Sequence, residues 1–257
     1  GDWFVDGASG IARRFRLPEI LIGATVVSIG TTLPEVMVSA GAAFQGSGSI
    51  AYGNAIGSII CNTSLIAALT IAIKPGPAVR KSLSLPVAFF FIAAAFYCFI
   101  AYTSGTFTRV VGIILLLLFV VYMVSTVVRM KKTAATVDDV IEEEKTGVSV
   151  SEAELESASG EDFTVESVEK GTKDSLIKDI ALLVLGAILI AFGADFLVDN
   201  AIIIAESLGV SEKVIGLTIV ALGTSLPELV TAITSLVKGH GSLSLGNVIG
   251  ANLFNLV

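Results

Sequence analysis

This chain has very little histidine, cysteine or charge. One His and two Cys among 257 residues are too few for a typical zinc or copper site, which calls for those ligands. Cys61 and Cys98 both lie inside apolar runs, so no disulfide framework is predicted. Charged residues make up 15% of the chain and hydrophobic residues 54%. Because soluble domains contain about 25% charged residues, this composition excludes an ordinary soluble protein.

The apolar residues are gathered in stretches of about 20, the length at which a helix crosses a bilayer core of about 30 Å. These runs are continuous rather than alternating, which favours helices over membrane strands. The sequence therefore predicts an all-α membrane protein. Helices are predicted at 19–44, 50–73, 84–103, 107–129, 176–205, 213–237 and 243–257, with residues 2–15 forming the end of a preceding helix.

A polar segment divides the chain. Between Asp138 and Asp174 lie 13 of the 23 acidic residues, with few large apolar ones, which is typical of a solvated loop. We therefore expect a first membrane repeat over 1–130, an acidic loop over 131–175 and a second membrane repeat over 176–257. Lys and Arg are concentrated in alternate connections between the spans, including the one that holds the acidic loop, which predicts that this side is cytoplasmic.

The two ends of the chain match at a fixed offset (228 − 35 = 193) without any gap. The segment Gly30–Glu35 reads GTTLPE and the segment Gly223–Glu228 reads GTSLPE, and each is followed by an identically placed G-N-x-I-G. Five predicted spans separate a helix from its copy, and an odd number inverts the second copy in the membrane. Inverted repeats are typical of transporters, whose site lies near the midplane where the copies meet.

The repeat also predicts where the sequence is cut. Residues 176–194 have no counterpart before Gly1, and the copy of the third span stops at Val257. We expect the chain to lack most of one span at its beginning and everything after the middle of the eighth.

The repeated motif has the chemistry of an ion site. A glutamate inside a membrane helix costs at least a few kcal/mol, so Glu35 and Glu228 are functional candidates. Thr31 and Thr224 each precede a glutamate by four residues and lie on its helix face. Two such faces together form an all-oxygen cage of charge −2, which suits Ca²⁺. Ser58, Asn62 and Asn255 on the following helices can ligate a cation or orient the glutamates.

At these motifs the sequence resembles the cation/calcium exchanger superfamily, in particular prokaryotic sodium/calcium antiporters. The resemblance implies two inverted five-helix halves, a ten-helix antiporter fold of which about eight spans are present here. It implies shared Ca²⁺ and Na⁺ binding by Glu35 and Glu228 and carbonyl ligands from Thr31 and Thr224. It further implies flanking Na⁺ sites built from Thr32, Ser225 and the carbonyls of Ser28 and Ala221. Ser58, Asn62 and Asn255 on the third and eighth helices would complete the ion site.

This sequence departs from the family pattern at two positions. Ala251 lies where the family often has Ser, and Asn255 lies where some members have Asp. The first change removes a hydroxyl from one implied Na⁺ site, and the second removes a possible charge.

We therefore predict a secondary active antiporter, not an enzyme, that exchanges Ca²⁺ for Na⁺ by alternating access. The alternatives are an H⁺/Ca²⁺ exchanger on the same fold, a cation channel, and a membrane-bound calcium sensor acting through the acidic loop. We expect the protein in the plasma (inner) membrane of a prokaryote, as a monomer in the lipid bilayer, with no cofactor and no nucleic-acid partner.

Overall fold

The computed structural model describes residues 1–15, 17–46, 48–73, 80–145, 176–210 and 221–257, and every regular element in these ranges is a helix. Helix α1 is Asp2–Arg14, α2 is Glu19–Phe44, and α3 covers 48–73. Helix α4 is Arg80–Thr103, α5 is Arg109–Lys145, and α6 is Leu176–Ser207. Helix α7 is Leu226–Val237, preceded by a single helical turn at Ala221–Thr224, and α8 is Gly241–Leu256.

Helices α2 and α3 each contain a wider π-helical segment, at Gly23–Val27 and Cys61–Ala67. Such segments are rare and disturb the regular backbone ladder, so their polar groups need other partners. The Tyr122 hydroxyl of α5 donates to the carbonyl of Ala24 at 2.8 Å, and the Thr25 hydroxyl donates to the carbonyl of Leu21 at 2.7 Å. The irregular part of α2 is therefore held in place by side chains around it.

The second copy of the motif has a different backbone. In α2 the helix runs without interruption from Ser28 to Phe44 with Pro34 inside it. In the second copy the helical turn ends at Thr224, Ser225 is non-helical, and α7 begins at Leu226 with Pro227 in its first turn. A proline is tolerated there because its missing N–H has no intrahelical acceptor.

Glycine brings the helices into close contact. A Cβ on Gly7 would lie 2.5 Å from the backbone nitrogen of Leu183, and a Cβ on Gly186 would lie 2.5 Å from the backbone nitrogen of Phe4. Helices α1 and α6 therefore cross with their backbones touching. Helix α8 packs just as closely on α2, where a Cβ on Gly250 would lie 2.6 Å from the carbonyl oxygen of Ala24. Small residues allow this packing in membrane helices.

Five of the described helices are long and apolar enough to cross a membrane: Glu19–Phe44, Ala51–Ile73, Leu83–Thr103, Arg109–Thr133 and Leu176–Gly193. They confirm the five predicted spans at these places. The predicted span at 213–237 is only partly described, because residues 211–220 lie outside the described ranges, and α7 is a shorter apolar helix of 12 residues.

The structure differs from the expectation at the beginning of the acidic loop. Helix α5 does not end near Arg129 but continues to Lys145, so residues 131–145 are helical. The sequence contains no Gly or Pro between Gly112 and Gly147, and the added residues include the helix formers Lys, Ala and Glu. The remainder of the predicted loop, residues 146–175, lies outside the described ranges.

The connections α1–α2 and α7–α8 lie at the same end of the structure. His240, in the turn before α8, lies 2.7 Å (Nδ1 to Oε1) from Glu19 at the start of α2. Lys238 in the same turn forms an ion pair of 2.6 Å with Asp6 of α1. This arrangement agrees with the grouping of these connections by their basic residues.

Candidate functional site

The two glutamates of the repeated motif lie in the interior of the protein, on α2 and α7. Glu35 is 1% exposed and Glu228 is fully buried at 0%. One carboxylate oxygen of each, Oε2, has no hydrogen-bond partner among the described residues. Buried carboxylates are expensive without partners, so these two oxygens need a cation or a proton.

The other oxygen of each glutamate accepts a hydrogen bond from the opposite repeat. The Thr32 hydroxyl donates to Glu228 Oε1 at 2.8 Å, and the Ser225 hydroxyl donates to Glu35 Oε1 at 3.5 Å. Thr32 and Ser225 occupy the same position in the two copies (225 − 32 = 193). The copies therefore face each other, and each positions the carboxylate of the other.

A second pair of hydrogen bonds between the repeats lies beside the first. The Thr31 hydroxyl donates to Asn247 Oδ1 at 3.1 Å, and the Thr224 hydroxyl donates to Asn54 Oδ1 at 3.3 Å. The Asn54 amide also donates to the backbone carbonyl of Glu35 at 3.2 Å. The two asparagines belong to the repeated G-N-x-I-G segments.

Sequence reasoning omitted Asn54 and Asn247 from the site, although the signal was present. They are the polar residues of a segment repeated at the same offset as the glutamates. A polar side chain that is kept in both copies of an apolar helix indicates a role that the pair shares. In the structure that role is to hold the two threonines of the motif.

The third and eighth helices contribute polar atoms without partners. Ser58 is 1% exposed and Asn62 is 0% exposed, and neither side chain has a hydrogen-bond partner among the described residues. Asn62 lies in the π-helical segment of α3. Asn255, which is half-buried, also has an unpartnered amide nitrogen. These atoms are free to bind a cation or to hold water around it.

Two other residues implied by the family pattern contribute less through their side chains. The Ser28 hydroxyl donates to the carbonyl of Thr25 at 3.1 Å. A Cβ on Gly250 would lie 2.5 Å from this hydroxyl, so α8 closes over it. Ala221 begins the helical turn before Thr224, and its side chain lies outside the described part. Ala251 is completely buried and offers no hydroxyl.

No described basic residue neutralises the two glutamates. The ion pairs between described residues involve Arg14, Lys238 and His240, and neither Glu35 nor Glu228 takes part in one. Across the described ranges, His, Cys, Asp and Glu side chains also form no cluster of three or more. Two carboxylates surrounded by hydroxyl, amide and carbonyl oxygens form a site suited to a hard cation rather than to zinc or copper.

Comparison with known proteins identifies the family. Residues 1–128 and 178–257 match the family described as sodium/calcium exchanger protein. The chain is a member of the sodium/calcium exchanger family. It is therefore an integral membrane protein and a cation/Ca²⁺ exchanger, not an enzyme.

The chain is also similar to two membrane proteins over nearly its whole length. The chain is 36% identical over 255 residues to the uncharacterized membrane protein MJ0091 of Methanocaldococcus jannaschii, an alignment that covers 99% of this chain and 73% of that protein. It is 35% identical over 262 residues to the inner membrane protein YrbG of Escherichia coli, covering 100% of this chain and 72% of that protein.

A solved structure has the same fold. The sodium-calcium exchanger NCX_Mj, soaked with 2.5 mM Na⁺ and 10 mM Sr²⁺, superposes with a TM-score of 0.75 at 33% sequence identity. The match covers 99% of this chain and 73% of that one. The predicted all-α antiporter fold is thereby confirmed.

Proposed function

We propose that this protein exchanges Ca²⁺ for Na⁺ by alternating access at a site centred on Glu35 and Glu228. The observation that carries the proposal is the reciprocal arrangement of the two buried carboxylates. Each has one oxygen held by the opposite repeat and one oxygen without a partner. Such a pair has a charge of −2, which one Ca²⁺ or at least two Na⁺ neutralise.

We assign the remaining ligands from the motif positions and from the unpartnered atoms. Thr31 and Thr224 bind Ca²⁺ through their backbone carbonyls, while their hydroxyls donate to Asn247 and Asn54. Thr32 and Ser225 bind Na⁺, together with the carbonyls of Ser28 and Ala221. Ser58, Asn62 and Asn255 complete the site from α3 and α8.

Competition for the same carboxylates couples the two ions. While Ca²⁺ occupies the cage, Na⁺ cannot bind both glutamates, and the reverse also holds. A loaded site is neutral or nearly so, whereas an empty site exposes two charges whose occlusion in a low-dielectric interior is costly. The site therefore switches between the two sides of the membrane when it holds Ca²⁺ or Na⁺, but not when it is empty. The transport of one ion consequently requires the return of the other.

The identity of the counter-ion is supported by the relatives. The matched structure carries the name sodium-calcium exchanger and was studied in crystals soaked with Na⁺ together with Ca²⁺ or Sr²⁺. A protein in which protons replace Na⁺ would use the same two carboxylates. Ala251 and Asn255 bear on the choice between Na⁺ and H⁺. Compared with the family pattern, they remove a hydroxyl and a possible charge from the second repeat.

The deciding experiment measures Ca²⁺ uptake by proteoliposomes under an imposed Na⁺ gradient and then under an imposed pH gradient. We expect uptake to follow the Na⁺ gradient and to disappear when Na⁺ is replaced by choline. Uptake driven by the pH gradient alone would establish the proton exchanger instead. Ca²⁺ flux without any counter-ion gradient would identify a channel.

We further propose that the face carrying Arg14, Lys238 and His240 is cytoplasmic, as is the acidic loop, and that the protein works as a monomer in the plasma (inner) membrane of a prokaryote. The basic residues at this end support the orientation. A single cysteine introduced in the acidic loop should be labelled by an impermeant maleimide only after the cells are opened. Deleting residues 146–172 should leave exchange intact, whereas loss of exchange would show that this loop is needed for transport.

A further inference from the structure

A row of buried hydroxyl groups leads away from Glu228 toward the end of α7. Thr231 and Ser235 follow the glutamate by three and seven residues, which places all three on one face of the helix. At about 1.5 Å per residue, this row extends about 10 Å from Glu228 toward the turn before α8. Each of the two hydroxyl residues is 0% exposed, and neither has a hydrogen-bond partner among the described residues.

Helix α8 adds a third hydroxyl at the same level. Ala232 of α7 and Val248 of α8 pack in one apolar cluster. Ser235 lies one turn beyond Ala232, and Ser244 lies one turn before Val248, so in this antiparallel pair both serines lie one turn nearer the connecting turn. Ser244 is 0% exposed and, within the described part of the chain, lacks a hydrogen-bond partner.

The row ends at the polar turn between α7 and α8. The backbone nitrogen of His240 donates to the carbonyl of Ser235 at 2.7 Å, and the backbone nitrogen of Ser244 donates to the carbonyl of His240 at 3.3 Å. The His240 side chain lies against Glu19 and is 22% exposed. The row of hydroxyls thus connects the buried glutamate to a polar, partly exposed pair at the membrane end.

The first repeat lacks this feature. At the fixed offset of 193, the counterparts of Thr231, Ser235 and Ser244 are Val38, Ala42 and Ala51. The first copy therefore has no corresponding row of hydroxyls. Three unpartnered hydroxyls in an apolar interior are costly, and polar groups lining a route for water and ions are satisfied when the route fills.

We propose that Thr231, Ser235 and Ser244 line the route by which a hydrated cation passes between Glu228 and the membrane face that carries His240, and that the structure holds this route closed. The inference rests on the proposed exchange function, because it assigns an entrance to the same site. An apolar route of the same width would exclude water and slow the passage of ions.

The first repeat supplies the replacement side chains for a test. The variant T231V/S235A/S244A copies Val38, Ala42 and Ala51 and removes only hydroxyl groups. We measure the initial rate of Ca²⁺ uptake under a Na⁺ gradient in proteoliposomes, and Ca²⁺ affinity by equilibrium binding in detergent. The expected result is a rate lower by about tenfold with Ca²⁺ affinity unchanged within about twofold, since tenfold is about 1.4 kcal/mol at the barrier.

The controls separate the route from general effects of losing a buried hydroxyl. Ser9→Ala on α1 and Thr126→Val on α5 make the same chemical changes at positions that are also 0% exposed, and their rates should match the unmodified protein. The single variant Ser235→Ala provides the same comparison with the least disturbance of packing, and its rate should also fall.

Three results would overturn the inference. The rate of the triple variant is unchanged, or its Ca²⁺ affinity falls in proportion to the rate, which would make these residues part of the ion site itself. A loss confined to uptake driven by a pH gradient would show that the row conducts protons and not cations. Failure of the unmodified protein to take up Ca²⁺ under a Na⁺ gradient would contradict the proposed function, which is a separate result.

Discussion

The two repeats have nearly the same sequence around the site but not the same structure. The first copy passes through Thr32 as a continuous helix that contains a π-helical segment upstream, whereas the second copy is broken at Ser225. The bond from Thr32 to Glu228 is 2.8 Å, and that from Ser225 to Glu35 is 3.5 Å. A transporter built from an inverted repeat opens to one side of the membrane at a time, so its two halves adopt different conformations. The difference between the two copies of the motif agrees with this requirement.

The helix that follows the motif packs closely in the second repeat. Helix α8 lies against α2, where a Cβ on Gly250 would contact Ser28 and Ala24. The equivalent neighbours of Gly57 on α3 would be residues 217 and 221, whose side chains lie outside the described part of the chain.

The two repeats should contribute equally to Ca²⁺ transport through their glutamates. Glu35→Gln and Glu228→Gln each remove one of two charges from the cage, and a lost buried charge partner is worth about 3 kcal/mol or more. We expect each variant to lose at least about a hundredfold in Ca²⁺ transport, measured as uptake into proteoliposomes. The matched control is Glu206→Gln on the exposed end of α6, which should transport normally. Retained transport in either motif variant would exclude that glutamate from the site.

One glycine tests the close packing of α8 on α2. Gly250→Ala should lower the free energy of unfolding by about 1–3 kcal/mol, because the added methyl overlaps with α2. Gly193→Ala on the exposed side of α6 should leave it unchanged or slightly higher, since alanine is the better helix former. Thermal unfolding in detergent measures both. Equal effects at the two positions would mean that the contact of α8 with α2 adds nothing to stability.

The hydroxyls that cross between the repeats test the difference in hydrogen bonding. Thr32→Val removes a short bond to a carboxylate, a contact worth about 1.5–3 kcal/mol, so Ca²⁺ affinity should fall about tenfold. Ser225→Ala removes a bond at the limit of hydrogen-bonding distance, and its effect should be about threefold or less. Equilibrium Ca²⁺ binding compares them. A larger loss in Ser225→Ala would reverse the assignment of the stronger contact.

The smallest effect is expected at the membrane end. Lys238 corresponds to Gln45 in the first repeat, so Lys238→Gln copies that repeat and removes the ion pair with Asp6. Exposed ion pairs are worth about 0–1 kcal/mol and are screened by salt. Thermal unfolding should therefore shift slightly at low salt and not at high salt. A large, salt-independent shift would show that this pair is a major part of the packing.

Much of the site could be predicted because its motif occurs twice in the sequence. The fixed offset identified Glu35 and Glu228, and membrane burial gave a reason to assign them a function. The same offset marked Asn54 and Asn247, but a repeated asparagine can serve packing or binding equally well. Only the bonds to Thr224 and Thr31 show what the two asparagines contact.

Local composition predicted the spans better than their ends. Helix α5 continues past Arg129 to Lys145, because a change from apolar to charged residues ends a membrane span without ending a helix. The sequence between Gly112 and Gly147 contains no Gly or Pro that would break the helix.

The sequence by itself determined that this protein is helical, crosses a membrane and contains two inverted copies of a carboxylate motif. These properties depend on hydrophobicity and on internal repetition, which can be read from the order of the residues alone. The tertiary structure decided which hydroxyl holds which carboxylate, how closely α8 packs on α2, and that Thr231, Ser235 and Ser244 form one buried row. These properties depend on how two nearly identical segments pack in different surroundings, and no comparison of the segments alone contains that information.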